Sequence, residues 1–272
     1  HAIGHTLQRR TALPWIADFR DPMAQDGYPA DPLTWRAYKR VEENVVDRAA
    51  RLVFTTPGAQ KMYRTRYATQ PADRFALIEN GYDEEVFAPL DDCNCTPLTA
   101  GKLTLLHSGI VYPDERDPTE LMAALGQLRR QNPAIAERLR VRFRAPVHDK
   151  LLQTLATQAG VPDLIETLPP LPYRGALEEM MRADALLILQ AANCNEQIPA
   201  KLYEYLRTRR PILALTDAAG DTAATLRAAG CTSIVPLDDR AAIARLLANF
   251  GSADVQFHVR VGDASVIAAP LA

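Results

Sequence analysis

The feature that most constrains this chain is a repeated alternation of short apolar runs with longer stretches of helical periodicity. The run "ALLILQ" (185–190) is almost continuously apolar, as expected of a strand covered on both faces in a parallel sheet. Parallel strands need crossover connections, so strand and helix patterns in turn specify an α/β chain. Strands are expected at 13–19, 51–56 and 75–83, the last ending in an Asn-Gly turn, with helices at 34–50 and, opened by Pro57, at 58–67. A second set places strands at 102–109, 139–145, 185–190, 211–216 and 232–237. Helices fall between and after them at 117–131, 148–160, 176–184, 222–230 and 239–250. Asp117 is expected as the N-cap of the first of these, with Pro118 at its first position and Glu120 completing a capping box.

The segment 89–102, "PLDDCNCTPLTAGK", is rich in Pro, Asp, Asn and Thr and reads as the linker. The expected organisation is therefore a partial N-terminal Rossmann-like domain (1–90), a linker (91–101) and a C-terminal Rossmann-like domain (102–250). The tail 251–272 shows no clear period. The opening "HAIGHTLQRR" has no initiator Met and no signal-peptide pattern, so the first domain is expected to be incomplete, and His1 and His5 take no role.

With 272 residues, 47% apolar and 24% charged, the chain can form one large domain or two modest ones, each with a buried core. A net charge of −2 removes the global basic field that nucleic-acid binding uses. Four cysteines do not make a disulfide framework in a chain this long. Cys93 and Cys95 read as a solvated loop, and Cys194 and Cys231 as reduced thiols. No apolar run approaches the roughly 20 residues that span a bilayer. These features agree with a cytoplasmic location.

The stretch "EQIPAKLYEYLRTRRPILAL" (196–215) follows the buried strand, where open α/β sheets place ligands. Glu196 falls on the loop, Pro199 suits a first helical turn, and Lys201 sits at the helix start. A helix N-terminus carries about half a positive charge, so a lysine there is mildly unfavourable without a nearby anion. Two readings stay open: Lys201 points to solvent, or it joins exposed amides in a phosphate cradle. The arginines at 207, 209 and 210 need only the helix C-terminus to explain them.

"EQIPAKLYEY" resembles the E-x7-E signature of retaining glycosyltransferases of family 4, and other stretches are similar to that family in the expected order. They are "LPWIADFRDPM", "LIENGYDEEVF", "LLHSGIVYPDERDP" and "GDTAATLRAAG". The resemblance covers about residues 10–250 and implies a GT-B fold, two Rossmann-like domains facing a cleft. It implies a metal-independent hexosyltransferase of bacterial polysaccharide assembly, with a UDP or GDP sugar as co-substrate and no other cofactor. Glu204 would hold the ribose hydroxyls. Lys201 and Arg116 would neutralise the diphosphate, and amides at Gln197 and Ile198 would assist. Glu196 would hold the transferred sugar. The chain has no D-x-D metal motif. The implied acceptor is a glycan or a lipid-linked molecule, with peripheral contact at the inner membrane face.

Local readings stand beside the resemblance. Arg116 is also readable as a solvated loop arginine. Ser108 and Gly109 read either as a backbone approach to phosphate or as a plain turn. His107 beside Ser108 lacks an evident ordering acid for nucleophilic catalysis. Asp18, Arg20 and Asp21 read as acceptor-side contacts or as a structural Asp–Arg network. The mixed "QKMYRTRYATQPADR" reads as a solvated helix or a membrane-surface face. Ile110 stands where many members of the family carry arginine, and Ala145 where a glycine is common. Two alternatives stay in view: a UDP-sugar 2-epimerase-like enzyme, which shares the two-Rossmann layout, and a degenerate nucleotide-binding or partner protein, favoured by Ile110 and by an N-terminal part expected to be missing.

Overall fold

A computed structural model describes residues 1–91 and 96–252. Cys93, Cys95 and nearly all of the tail 251–272 lie outside the described residues. Contacts divide the chain into two units. The first comprises His1–Asn80 with Glu196–Ile198, and the second Gly81–Asn195 with the chain from Pro199 onward.

The first unit contains α1 (Ala2–Thr11), β1 (Ile16–Phe19), α2 (Pro32–Arg48), β2 (Arg51–Phe54), α3 (Pro57–Arg66) and β3 (Phe75–Leu77). Its strands form a parallel sheet in the order β1-β2-β3. Ala17 and Phe19 point inward from β1 while Ile16 and Asp18 face out, the two-residue period of a strand covered on one face. Asp31 and Thr56 cap the two helices that cross over, accepting from the backbone N–H groups of Thr34 and Ala59, and each is followed by a proline. Phe19, Phe54 and Tyr63 meet in the core, with ring centroids 4.8–5.5 Å apart.

Beneath them the fully buried Glu42 is surrounded by donors. Its carboxylate accepts from Tyr63 Oη (2.8 Å), Tyr67 Oη (2.5 Å), Arg66 Nη1 (2.8 Å), Lys39 Nζ (3.3 Å) and the Ala24 N–H (3.2 Å). Burial pushes the carboxyl pKa up, but the bonds from Tyr67, Arg66 and Tyr63 outweigh it and hold the group below its ordinary value. Part of the aromatic and cationic content of "QKMYRTRYATQPADR" is thus turned inward, while Lys61 and Arg64 remain exposed.

The second unit contains α4 (Glu84–Phe87), β4 (Leu103–Ser108), α5 (Thr119–Gln131), α6 (Pro133–Arg138), β5 (Leu139–Arg144), α7 (Asp149–Gln158) and β6 (Ile165–Leu168). After these come α8 (Tyr173–Arg182), β7 (Ala185–Leu189), α9 (Lys201–Thr208), β8 (Ile212–Leu215), α10 (Asp221–Ala228), β9 (Ile234–Val235) and α11 (Arg240–Gly251). Its six parallel strands run β6-β5-β4-β7-β8-β9. Counted within the unit this is 3-2-1-4-5-6, the doubly wound order, and the direction of winding reverses between β4 and β7. All five residues of β7 are buried, and each of its four large aliphatic side chains contributes roughly 1.5–3 kcal/mol of burial.

Several local expectations differ from the structure. The strand expected at 75–83 ends at Leu77, and Asp83 instead caps the short α4. The strand expected at 232–237 is only two residues long. α1 and α6 were not signalled by apolar periodicity. α1 buries no residue, and α6 is opened by the Asn132 cap and Pro133. α5 begins at Thr119, one residue later than its sequence suggests, because Pro118 adopts ψ 4°. Asp117 still caps from one position further out, accepting from the Thr119 N–H at 2.9 Å. Glu120 closes no capping box and pairs instead with Arg240 (2.7 Å).

Candidate functional site

In doubly wound sheets the crevice at the winding reversal lies outside the carboxyl ends of the two strands that flank it. Here those strands are β4, which ends at Ser108, and β7, which runs out at Leu189. Gly109 follows β4 with φ +108°, a conformation that side chains rarely adopt. Its N–H bonds the Arg144 carbonyl at 2.8 Å. A Cβ on this residue would stand 3.2 Å from Lys201 Nζ, so the lysine lies directly across the glycine.

Lys201 is the first residue of α9, and no side chain caps that helix. Its ammonium approaches His107 Nε2 at 3.1 Å. Burial, and then the nearby Arg116, hold the Lys201 pKa well below the ordinary lysine value, with Glu204 opposing weakly. The Arg116 guanidinium lies 5.0 Å from the Tyr112 ring and donates to the Ile110 carbonyl at 2.6 Å. Ile110 therefore brings no cation of its own but anchors one through its backbone.

Glu204, one turn along α9, accepts from the Tyr173 hydroxyl at 2.9 Å. Burial raises its pKa, while the Tyr173 bond and the Lys201 charge pull it down. Burial and Glu204 together push the Tyr173 phenol up to about 12. The Ser108 N–H donates to the buried Tyr205 hydroxyl at 2.9 Å, which ties the end of β4 to the face of α9 that also carries Lys201. Ser108, Gly109, Arg116, Lys201 and Glu204 are thus gathered at one place in the second unit.

The remaining sequence candidates lie in the first unit. Glu196, Gln197 and Ile198 group there, and the Glu196 carbonyl accepts from Thr56 Oγ1 at 2.5 Å. Asp18, Arg20 and Asp21 are exposed at and just after the end of β1. The Arg20 guanidinium bonds the Asn80 side chain (2.7 Å) and its carbonyl takes the Thr55 hydroxyl. His107, Tyr173 and Tyr205 are participants that sequence reasoning missed, or gave no role, because their partners lie across the sheet or on another helix.

The second unit also holds a cavity of about 600 Å³ at the carboxyl ends of β7, β8 and β9. Asp114, Asp117, Glu120, Asp217 and Asp238 rim it, with Gln190 and Leu237 among the other lining residues. Five carboxylates make it a poor receptor for a diphosphate. The cationic side chains Lys201 and Arg116 gather instead near Gly109. Among the described residues no three His, Cys, Asp or Glu side chains gather as a metal site, and no helix is long and apolar enough to cross a membrane.

No family model matches the chain. It is 28% identical over 187 residues to a D-inositol 3-phosphate glycosyltransferase of Geodermatophilus obscurus, an alignment covering 61% of this chain. The chain spans about two fifths, 41%, of that relative's length. Among solved structures it is similar to WaaG, a glycosyltransferase involved in lipopolysaccharide biosynthesis. The TM-score is 0.66 at 15% identity, covering 97% of this chain and 80% of WaaG. It is also similar to a UDP-forming α,α-trehalose-phosphate synthase from Burkholderia vietnamiensis, with TM-score 0.69 at 12% identity, covering 93% of this chain and 62% of that one.

Proposed function

We propose that this chain, which has the fold of the GT-B glycosyltransferases, transfers a sugar from a nucleotide-diphosphate donor to an acceptor with retention of configuration. The observation that carries the proposal is the placement of Lys201 and Arg116 beside Gly109, at the sheet's winding reversal, with Glu204 one turn behind the lysine. Two cations held together against their mutual repulsion favour a ligand with at least two negative charges. As the glycosidic bond breaks, charge develops on the departing diphosphate, and fixed cations there lower the barrier. In this reading they replace a metal ion, and the donor is the only co-substrate. Glu204, already an acceptor for Tyr173, takes hydrogen bonds from ribose hydroxyls.

Glu196 is assigned to the hydroxyls of the transferred sugar, with amides at Gln197 and Ile198 near the diphosphate, on the basis of the E-x7-E resemblance. Asp18, Arg20 and Asp21 are assigned to the acceptor side. UDP is the first donor nucleotide to try, because a structural neighbour is UDP-forming, and GDP the second. We infer a glycan or lipid-linked acceptor from the role of WaaG in lipopolysaccharide biosynthesis. Such acceptors meet nucleotide sugars at the cytoplasmic face of a membrane, where peripheral contact would serve the reaction.

Calorimetric titration with UDP and GDP tests the donor site. Lys201→Ala and Glu204→Ala should each weaken binding, and unchanged affinity in both variants would overturn the assignment. Glu196→Ala should spare nucleotide binding and remove transfer.

A further inference from the structure

The Lys201 ammonium that lies across Gly109 also stands 3.1 Å from the ring of His107. This histidine is buried in β4, at 1% exposure, and no step of the proposed transfer uses it. Its Nδ1 lies 3.0 Å from the Leu187 carbonyl on the neighbouring strand β7. A carbonyl can only accept, so that bond requires the proton on Nδ1. A neutral ring protonated there presents a bare lone pair at Nε2, and Lys201 Nζ stands 3.1 Å from it.

We infer that His107 is a positioning residue that holds the Lys201 ammonium over Gly109 by accepting one of its protons at Nε2, leaving the others for a diphosphate. The inference rests on the donor-site reading above.

The choice of an imidazole has a physical reason. A carboxylate in the same place would orient the lysine equally well but cancel its charge, leaving nothing to attract an anion. A neutral acceptor orients the cation and leaves its charge intact. The groups that act on the ring agree with this state. Burial, then Lys201, keeps the imidazole unprotonated, and Arg116 adds to the effect, while backbone hydrogen bonding at Leu187 and Ile110 pulls the other way. Phe143, 5.9 Å away by ring centroid, supplies part of the apolar surround. Glu204 faces the lysine but reaches it only through space, its own bond going to Tyr173.

The test uses the 272-residue chain, with UDP and GDP as probes in calorimetric titrations. Lys201→Met, His107→Leu, His107→Gln and the double variant Lys201→Met/His107→Leu are compared. Loss of one charge-assisted hydrogen bond should weaken nucleoside diphosphate binding about tenfold in His107→Leu. The glutamine variant, which can donate to Leu187 and accept from Lys201, should recover most of that loss. His107→Leu should add nothing once Lys201 is methionine. If Lys201→Met weakens binding but His107→Leu does not, or if the two losses simply add, the positioning role falls and the donor site stands. If Lys201→Met changes nothing, the donor site falls and the inference falls with it. A second measurement needs no ligand and no variant. Nitrogen-15 shifts of the His107 ring should report a neutral Nδ1–H tautomer at pH 7, and an Nε2–H tautomer or an imidazolium would overturn the proposal.

Discussion

The Tyr173 hydroxyl donates to the Glu204 carboxylate at 2.9 Å, joining the first turn of α8 to the first turn of α9. The bond does not cancel what burial does to Glu204, whose pKa stays raised above its ordinary 4.5. A carboxyl raised in the folded state supports folding only while protonated, so the ionised form costs stability at neutral and alkaline pH. Glu204→Gln keeps an acceptor for Tyr173 and removes that cost. The variant should melt higher than the parent at pH 8 and show no such gain at pH 4, as read by thermal unfolding. Its affinity for UDP or GDP should fall about tenfold through weaker ribose bonds.

Lys201 predicts a proton linkage. Its pKa is held well below the lysine range in the free protein, and a diphosphate across Gly109 would raise it again. Binding should therefore take up protons at pH values between the free and liganded pKa, and affinity should fall as pH rises through that window. Calorimetry in buffers of different ionisation enthalpy, repeated across neutral and alkaline pH, locates the window and measures the uptake directly. Zero uptake at every pH would argue that the lysine does not meet the phosphates.

Glu42 predicts an acid-sensitive first unit. Its pKa is held below the ordinary value, so its contribution is complete above pH 4.5 and is lost as pH falls through the lower folded value. Glu42→Gln leaves the partly buried Arg66 without its counter-charge and should cost about 3 kcal/mol at pH 7. Chemical denaturation at pH 7 and pH 3 should show the gap between parent and variant closing in acid.

Ala145 sits at φ 53°, just after β5. A left-handed residue costs roughly 1–2 kcal/mol for an ordinary side chain, while glycine gives back about 0.5–1 kcal/mol in unfolded-state entropy. Ala145→Gly should thus stabilise the chain by about 0.5–1 kcal/mol in urea unfolding. A destabilised variant would mean that the Cβ makes contacts worth more than the strain.

The doubly wound order of the second unit was legible because buried parallel strands announce themselves, as "ALLILQ" does. Lys201 was legible as an electrostatic misfit at a helix start, and the structure places it across Gly109 with Arg116 near. His107 and Tyr173 were not legible in these roles. Their partners lie 94 and 31 residues away in sequence, and neither cross-sheet nor helix-to-helix pairing leaves a local period. The division between units was hidden for a related reason. The segment from Gly81 through the Pro89 region looked like part of the first domain or linker, but it groups with the second unit. There Glu84 and Asp91 both grip the Arg207 guanidinium at 2.6–2.9 Å. Arg207 had looked like an ordinary cation at a helix C-terminus.

That grip makes α9 a gauge. Arg207 is clamped at one end by two carboxylates, and Lys201 is presented at the other. Six residues at 1.5 Å rise and 100° each fix the distance and the angle between them. Inserting one residue within the helix would swing the lysine about 100° around the axis, away from Gly109, while every side chain of the site remained present in the sequence. The spacing from 201 to 207 is therefore as much a part of the site as the lysine itself.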